Sequence, residues 1–222
     1  MPPARRPATP TPTHHLGELD AAETPLTDEG RLEGVVVRGP GAAFTARSVA
    51  IEGCELRGAF GGAVLPDLHL IDSVVAGADL ANADLRGAAL HRSTIRDARL
   101  TGLRATATSL RDLTATACRA DLAVLAEARI ERVLLRGCDL RDATFDDAQL
   151  RDVRFEDCDL AGASFTRARL ERVELVGCNL EGLRSVTELR GAAMPWPDLV
   201  ANAGAFAAAL GIRLLEEPGD TG

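Results

Sequence analysis

Every fifth residue from Leu65 to Leu180 is apolar, and two residues before each runs a second uncharged register, mostly Ala, Cys or Val with a few Ser, Thr and Leu. Neither register holds a charge, although 26% of the chain is charged. A period of five suits neither a helix near 3.6 nor a flat strand at 2. Short-period self-similarity of this kind predicts a solenoid, whose stacked coils bury a continuous interior.

A longer period lies over the first. Val133, Val153 and Val173 align, as do Cys138, Cys158 and Cys178, and Phe145 with Phe165. The spacing equals four five-residue units, so the simplest geometry is a four-sided coil whose sides are very short strands. Coils stacked by backbone pairing lie about 4.8 Å apart. The large register fills the centre and the small one fits where the wall approaches its neighbour, which predicts a plugged interior with no cavity for a substrate. Outward residues predict charge columns: Glu131, Arg151 and Glu171 in one, Arg132, Asp152 and Arg172 beside it, and Arg136 over Glu156. Opposite charges on neighbouring strands stabilise by about 0.2–1 kcal/mol each and help fix register.

The triplets Ala78-Asp79-Leu80, Ala83-Asp84-Leu85, Cys138-Asp139-Leu140, Cys158-Asp159-Leu160 and Cys178-Asn179-Leu180 resemble the A(D/N)LXX units of the pentapeptide repeat family. The resemblance covers roughly residues 63 to 183. It implies an all-β solenoid, a right-handed four-sided β-helix. The family's best-understood members protect DNA gyrase or topoisomerase IV by mimicking duplex DNA, often as dimers joined at their C-terminal ends. A non-enzymatic role is expected separately, because a filled interior and open walls leave no groove that excludes water.

The pattern breaks in places. At Ala105 and Ala115 the large residue is missing, while Leu103 and Leu113 occupy the small register; Ala120 has no such exchange. Asp121 to Arg129 also reads as a short helix, so residues 106–128 form either a projecting loop or helix, or uninterrupted coil. Upstream, Val49/Ile51 and Cys54/Leu56 run one residue out of phase with Leu65, which predicts a one-residue slip across Arg57 to Gly62, with Pro66 at a corner. After Leu180 the beat fails at Ser185. Leu199, Ala203, Phe206 and Leu210 then fall on one helical face, with Asp198 as a cap and Gly211 as a stop. An open solenoid end exposes apolar core and unpaired backbone, so this helix is expected to be a lid, with Ile212 to Leu215 as a final strand. The expected organisation is a disordered tail over 1–30, an N-terminal cap and irregular first coil over 31–62, the β-helix over 63–184, and a C-terminal cap over 185–222 with its helix near 198–210.

Composition narrows the function. A net charge of −8 argues against direct binding to nucleic acid. All 25 basic residues are Arg, and with six Phe, one Trp and no Tyr there is little for base stacking. The first 30 residues hold no apolar run suited to a signal peptide or membrane span, so a cytoplasmic protein is the expectation. Four of the five cysteines (Cys118, Cys138, Cys158 and Cys178) stack in one interior column but lack the C-x(2–4)-C spacing of zinc sites. His14 and His15 lie in the tail, and His69 and His91 fall on outward positions of different units. No phosphate loop, dinucleotide fingerprint or zinc-protease motif appears. No catalytic residue, metal or cofactor is therefore assigned.

Two readings of function remain. The first is a rigid scaffold presenting a wall to an unnamed protein partner. The second is a DNA mimic that binds a type II topoisomerase and protects it against quinolone-type inhibitors, which is antibiotic resistance. Asp139, Asp142, Asp146, Asp147, Asp157 and Asp159 are the candidate partner-binding residues and would stand for phosphates. The stretch from Glu131 to Gly182 has an excess of acid, whereas Leu65 to Ile130 is balanced. The C-terminal cap is the candidate surface for a homodimer.

Overall fold

In the computed structural model, which describes residues 20–22, 26–184 and 186–213, every fifth residue from Gly62 to Gly182 has a positive φ. Each of these left-handed residues turns the chain from one wall to the next. Gly, Asp and Asn hold most of the corners, the residues that reach this region at least cost. Between corners the chain makes one short step: in, out, in. Leu113 points inward, Thr114 outward and Ala115 inward, so the two apolar registers are the two inward positions of each step.

Four steps close a coil, and successive coils pair in parallel. Ser109 lies on Arg129, Arg129 on Gln149 and Gln149 on Arg169. Four walls result. The first carries Asp84, Arg104, Val124, Thr144 and Ser164; the second carries Ala89, Ser109, Arg129, Gln149 and Arg169. The third carries Thr94, Thr114, Leu134, Arg154 and Glu174; the fourth carries Asp79, Arg99, Arg119, Asp139 and Asp159. The second and third walls join into eight-residue strands at Ser109–Thr116, Arg129–Arg136, Gln149–Glu156 and Arg169–Val176. The first and fourth are stitched by single-residue bridges.

Residues 106–128 are regular coil. Arg104 pairs with Val124, Ser109 with Arg129, and Arg119 with Asp139. The helix reading of Asp121 to Arg129 fails because stacking gives this backbone partners that an isolated turn would lack, such as Leu122 N–H donating to Arg141 O at 2.9 Å. In the first coils the stacking offset is one residue shorter: Arg31 pairs with Ala50 and Ala50 with His69. The offset lengthens between Leu56↔Val75 and Ala59↔Asp79, so the slip falls at Arg57–Gly58. Pro66 stands in the turn before the Asp67 corner. Leu26 packs against the core and Glu29 N–H donates to Arg47 O at 2.7 Å, so coil structure begins within the stretch expected to be tail.

The interior is filled unevenly. Near the C-terminal end Phe145 and Phe165 stack with centroids 4.8 Å apart, and Phe155 meets both edge-on. Each buried side chain of this size stabilises by roughly 1.5–3 kcal/mol, and the ring geometry adds about 0.5–1.5 kcal/mol per pair. Around Ala105, Ala115 and Ala120 the centre is not plugged: a cavity of about 80 Å³ remains, lined by carbon. The exchange of Leu103 and Leu113 into the small register does not replace the volume that the three alanines give up.

The C-terminal end is closed by side chains acting as backbone. Two short helices, α1 (Trp196–Ala201) and α2 (Ala203–Ala209), replace the single expected helix, and the break is at Asn202. That residue turns its buried amide into the last coil. Leu180 N–H donates to its Oδ1 at 3.0 Å, and its Nδ2 donates to Cys178 O at 3.1 Å and to Asp198 O at 2.9 Å. Asp198 accepts from Gly177 N–H at 2.6 Å. The break also splits the expected apolar stripe. Phe206 packs on the core, but Leu199 and Leu210 stay partly or largely exposed. Ile212 and Arg213 lie outside any strand, and Leu214 and Leu215 fall outside the described residues.

Candidate functional site

With the inward positions filled by uncharged side chains, chemistry is left to the walls. Sorting the outward residues by wall concentrates the acidic excess on one side of the rod. The fourth wall and its two edges carry Asp79, Asp97, Asp121, Asp139, Asp142, Asp157, Asp159 and Glu181 against Arg99, Arg119 and Arg141. The second wall, on the opposite side of the square and counted with its corners in the same way, carries Arg92, Arg111, Arg129, Arg132, Arg151, Arg167, Arg169 and Arg172 against Asp67, Asp72, Asp112, Glu127, Glu131, Asp147, Asp152 and Glu171, together with His69 and His91. The fourth side of the rod is therefore acidic, and the side opposite it is balanced.

The six candidate aspartates divide between walls. Asp139 and Asp159 stack on the fourth wall, and Asp142 and Asp157 stand at its two corners. Asp146 lies on the first wall, and Asp147 lies at that wall's far corner. Several are engaged. Arg141 donates to Asp139 through Nε at 2.8 Å and Nη2 at 2.6 Å, and it lies 3.7 Å from Asp159. Arg167 clasps Asp147 with both of its contacts, at 2.8 and 2.6 Å. Asp146 accepts from the Ser164 hydroxyl at 2.5 Å and from Thr166 N–H at 3.0 Å. Bonding to Arg141 holds the Asp139 carboxyl below the usual carboxylate range, and bonding to Arg167 does the same for Asp147.

The corner aspartates also have a packing role. The Oδ1 of Asp142 sits where a Cβ on Gly162 would lie 2.5 Å away, and Asp157 stands in the same relation to Gly177 at 2.3 Å. An acidic corner thus folds over the glycine corner of the next coil.

The walls also bring together groups whose sequence spacing gave no sign of contact. His91 Nε2 lies 3.1 Å from the Ser109 hydroxyl on the second wall. Burial and the nearby Arg111 push this imidazole below its ordinary pKa. The pair sits on an open wall, where a nucleophile gains little from water exclusion. Glu55, outward by register, is fully buried, with Oε1 2.7 Å from Arg57 and 3.8 Å from Arg96.

All five cysteines are buried free thiols. Four form the expected column, and each donates to the carbonyl two residues before it. Hydrogen bonding with Cys118 pushes Cys138 up to about 11, bonding with Cys138 raises Cys158, and burial pushes Cys178 up to about 11. These thiols are packing groups. Among the described residues no group of His, Cys, Asp or Glu is arranged to hold a metal ion. Among them, too, no helix is long and apolar enough to cross a membrane.

No curated protein matches the chain in sequence. Solved structures of several proteins are similar to it. HetL, a pentapeptide repeat protein involved in heterocyst differentiation regulation from the cyanobacterium Nostoc sp. strain PCC 7120, is 21% identical over 76% of this chain and 91% of its own, with a TM-score of 0.46. A trypsin-treated form of QnrB1, a plasmid-mediated fluoroquinolone resistance protein, is 19% identical over 86% of this chain and 99% of its own, with a TM-score of 0.35. A pentapeptide repeat protein from the Arabidopsis thaliana thylakoid lumen is 19% identical over 59% and 74%, with a TM-score of 0.28. Residues 88–165 match the family model described as the pentapeptide repeat region. The same five-residue corner runs through that segment and beyond it on both sides, so the chain contains a pentapeptide repeat region within its solenoid.

Proposed function

We propose that the protein is a rigid, non-enzymatic binding rod whose fourth wall receives a basic surface of a protein partner. The observation that carries this reading is the acidic excess of the fourth wall, where Asp139, Asp142, Asp157 and Asp159 gather. A stacked solenoid holds those carboxylates at fixed spacing, so a partner meets a preorganised surface. Charge complementarity of this kind speeds encounter and weakens with salt. The five free cysteines suit a reducing compartment, which supports the cytoplasm as its location. Trp196, Val200, Leu210 and Ile212 are largely exposed on the C-terminal cap, which supports a homodimer formed through that end.

The test is capture from cell lysate at low and high salt, with bound proteins identified. A partner with a basic contact surface, held at low salt and released at high salt, is the expected result. Recovery of no protein at low salt would overturn the reading.

A second reading has one observation in its favour. The acidic wall runs on one side of the rod from Asp79 to Glu181, as a duplex presents phosphates, although Arg99, Arg119 and Arg141 interrupt it. On that reading the partner is a type II topoisomerase, DNA gyrase or topoisomerase IV, and the protein protects it from quinolone-type inhibitors. A supercoiling assay with a fluoroquinolone decides: restored supercoiling supports it, and unchanged inhibition excludes it.

A further inference from the structure

The inward residues of the rod are not equally enclosed. Phe155 and Leu160 are 0% exposed, while Leu103 keeps 9% and the neighbouring Leu110, Leu125 and Leu135 are only partly buried. Register points all of them at the centre, so this residual surface faces the cavity of about 80 Å³ beside Ala105, Ala115 and Ala120. The cavity offers no polar group to a guest. Its one hydroxyl, on Thr108, is spent on Ala105 O at 2.8 Å. A water needs two to four polar partners to be held, so the space is dry. An apolar cavity of about 150 Å³ takes up benzene or xenon, and this one is about half that size.

We propose that the cavity is a binding site for one small, uncharged, apolar molecule, of the size of a xenon atom or a short hydrocarbon. The guest restores the dispersion contacts that the three alanines leave unmade. Without a hydrogen-bonding anchor, selection is by size and apolarity alone. The site lies inside the rod and does not depend on what the walls bind.

The test uses the whole protein and xenon gas, read by methyl NMR under increasing pressure. The expected result is a saturable shift at the methyls of Leu103, Leu110, Leu125 and Ile130, with Leu160 and Leu175 unmoved. In the Ala120→Leu variant, which returns the register's usual residue, those shifts disappear while circular dichroism shows the fold retained. If that variant does not fold, saturation and confinement in the parent protein decide by themselves. Shifts that rise linearly with pressure, spread over the whole interior, or persist in a folded Ala120→Leu variant would overturn the proposal.

Discussion

Arg132 grips Asp112 one coil below it with two hydrogen bonds, Nε to Oδ1 at 2.6 Å and Nη2 to Oδ2 at 2.8 Å, and both residues occupy left-handed corners. The same clasp recurs at Arg92–Asp72 and at Arg172–Asp152, so the corner between the second and third walls alternates in sign up the rod. A chain whose basic residues are all arginine can make this two-pronged contact at every second coil, which lysine cannot.

The clasp makes stability depend on pH. Bonding to Arg132 lowers the Asp112 pKa, as Arg141 lowers that of Asp139. A carboxyl with a depressed folded pKa contributes its full stability above the unfolded value near 3.9 and loses it as pH falls through the folded value. Urea midpoints should therefore hold steady from neutral pH to about 4 and drop below that. Asp112→Asn should cost about 1 kcal/mol at pH 7 and flatten the acid limb, as urea titrations at several pH values will show.

Leu122 occupies a corner at φ 58 with 56% of its surface exposed. A leucine there bears the left-handed strain, about 1 kcal/mol, without packing to offset it. Leu122→Asn should raise stability by about 0.5–1 kcal/mol, seen as an upward shift of the thermal midpoint.

Gly162 leaves room for the Asp142 side chain, and its φ is 69. Gly162→Ala should destabilise by about 1–2 kcal/mol. Asp142→Gly in the same chain removes the clash and should recover part of that loss, which a double-mutant cycle in urea measures.

Asn202 closes the last coil through Leu180 N–H and Cys178 O. Asn202→Leu leaves both groups without their partner, at a cost of about 1–3 kcal/mol each. Hydrogen exchange should show the Leu180 amide losing protection while Val153, deeper in the rod, keeps its own.

The inward registers were legible because charge is excluded from them. The pairing of Val133 with Val153 and Val173, the cysteine column and the slip near Arg57 all follow from spacing alone. Three features escaped. Charge was weighed along the chain, whereas the fold sorts it by wall, placing Asp146 and Asp147 around a corner from Asp139. The cavity depends on how much volume Leu103 and Leu113 return to the centre, which only packing decides. Asn202 is a single amide in an alanine-rich stretch, and its role exists only once the open end of the solenoid lies beside it.

The most direct test of the account compares walls. One variant carries Asp139→Asn, Asp142→Asn, Asp157→Asn and Asp159→Asn on the fourth wall; the other carries Arg129→Gln and Arg169→Gln on the second. Both are used, beside the parent chain, to capture proteins from cell lysate at low salt. The account predicts that the second-wall variant keeps the parent's partners and the fourth-wall variant loses them. Partners retained by the fourth-wall variant, or lost equally from both, would contradict it.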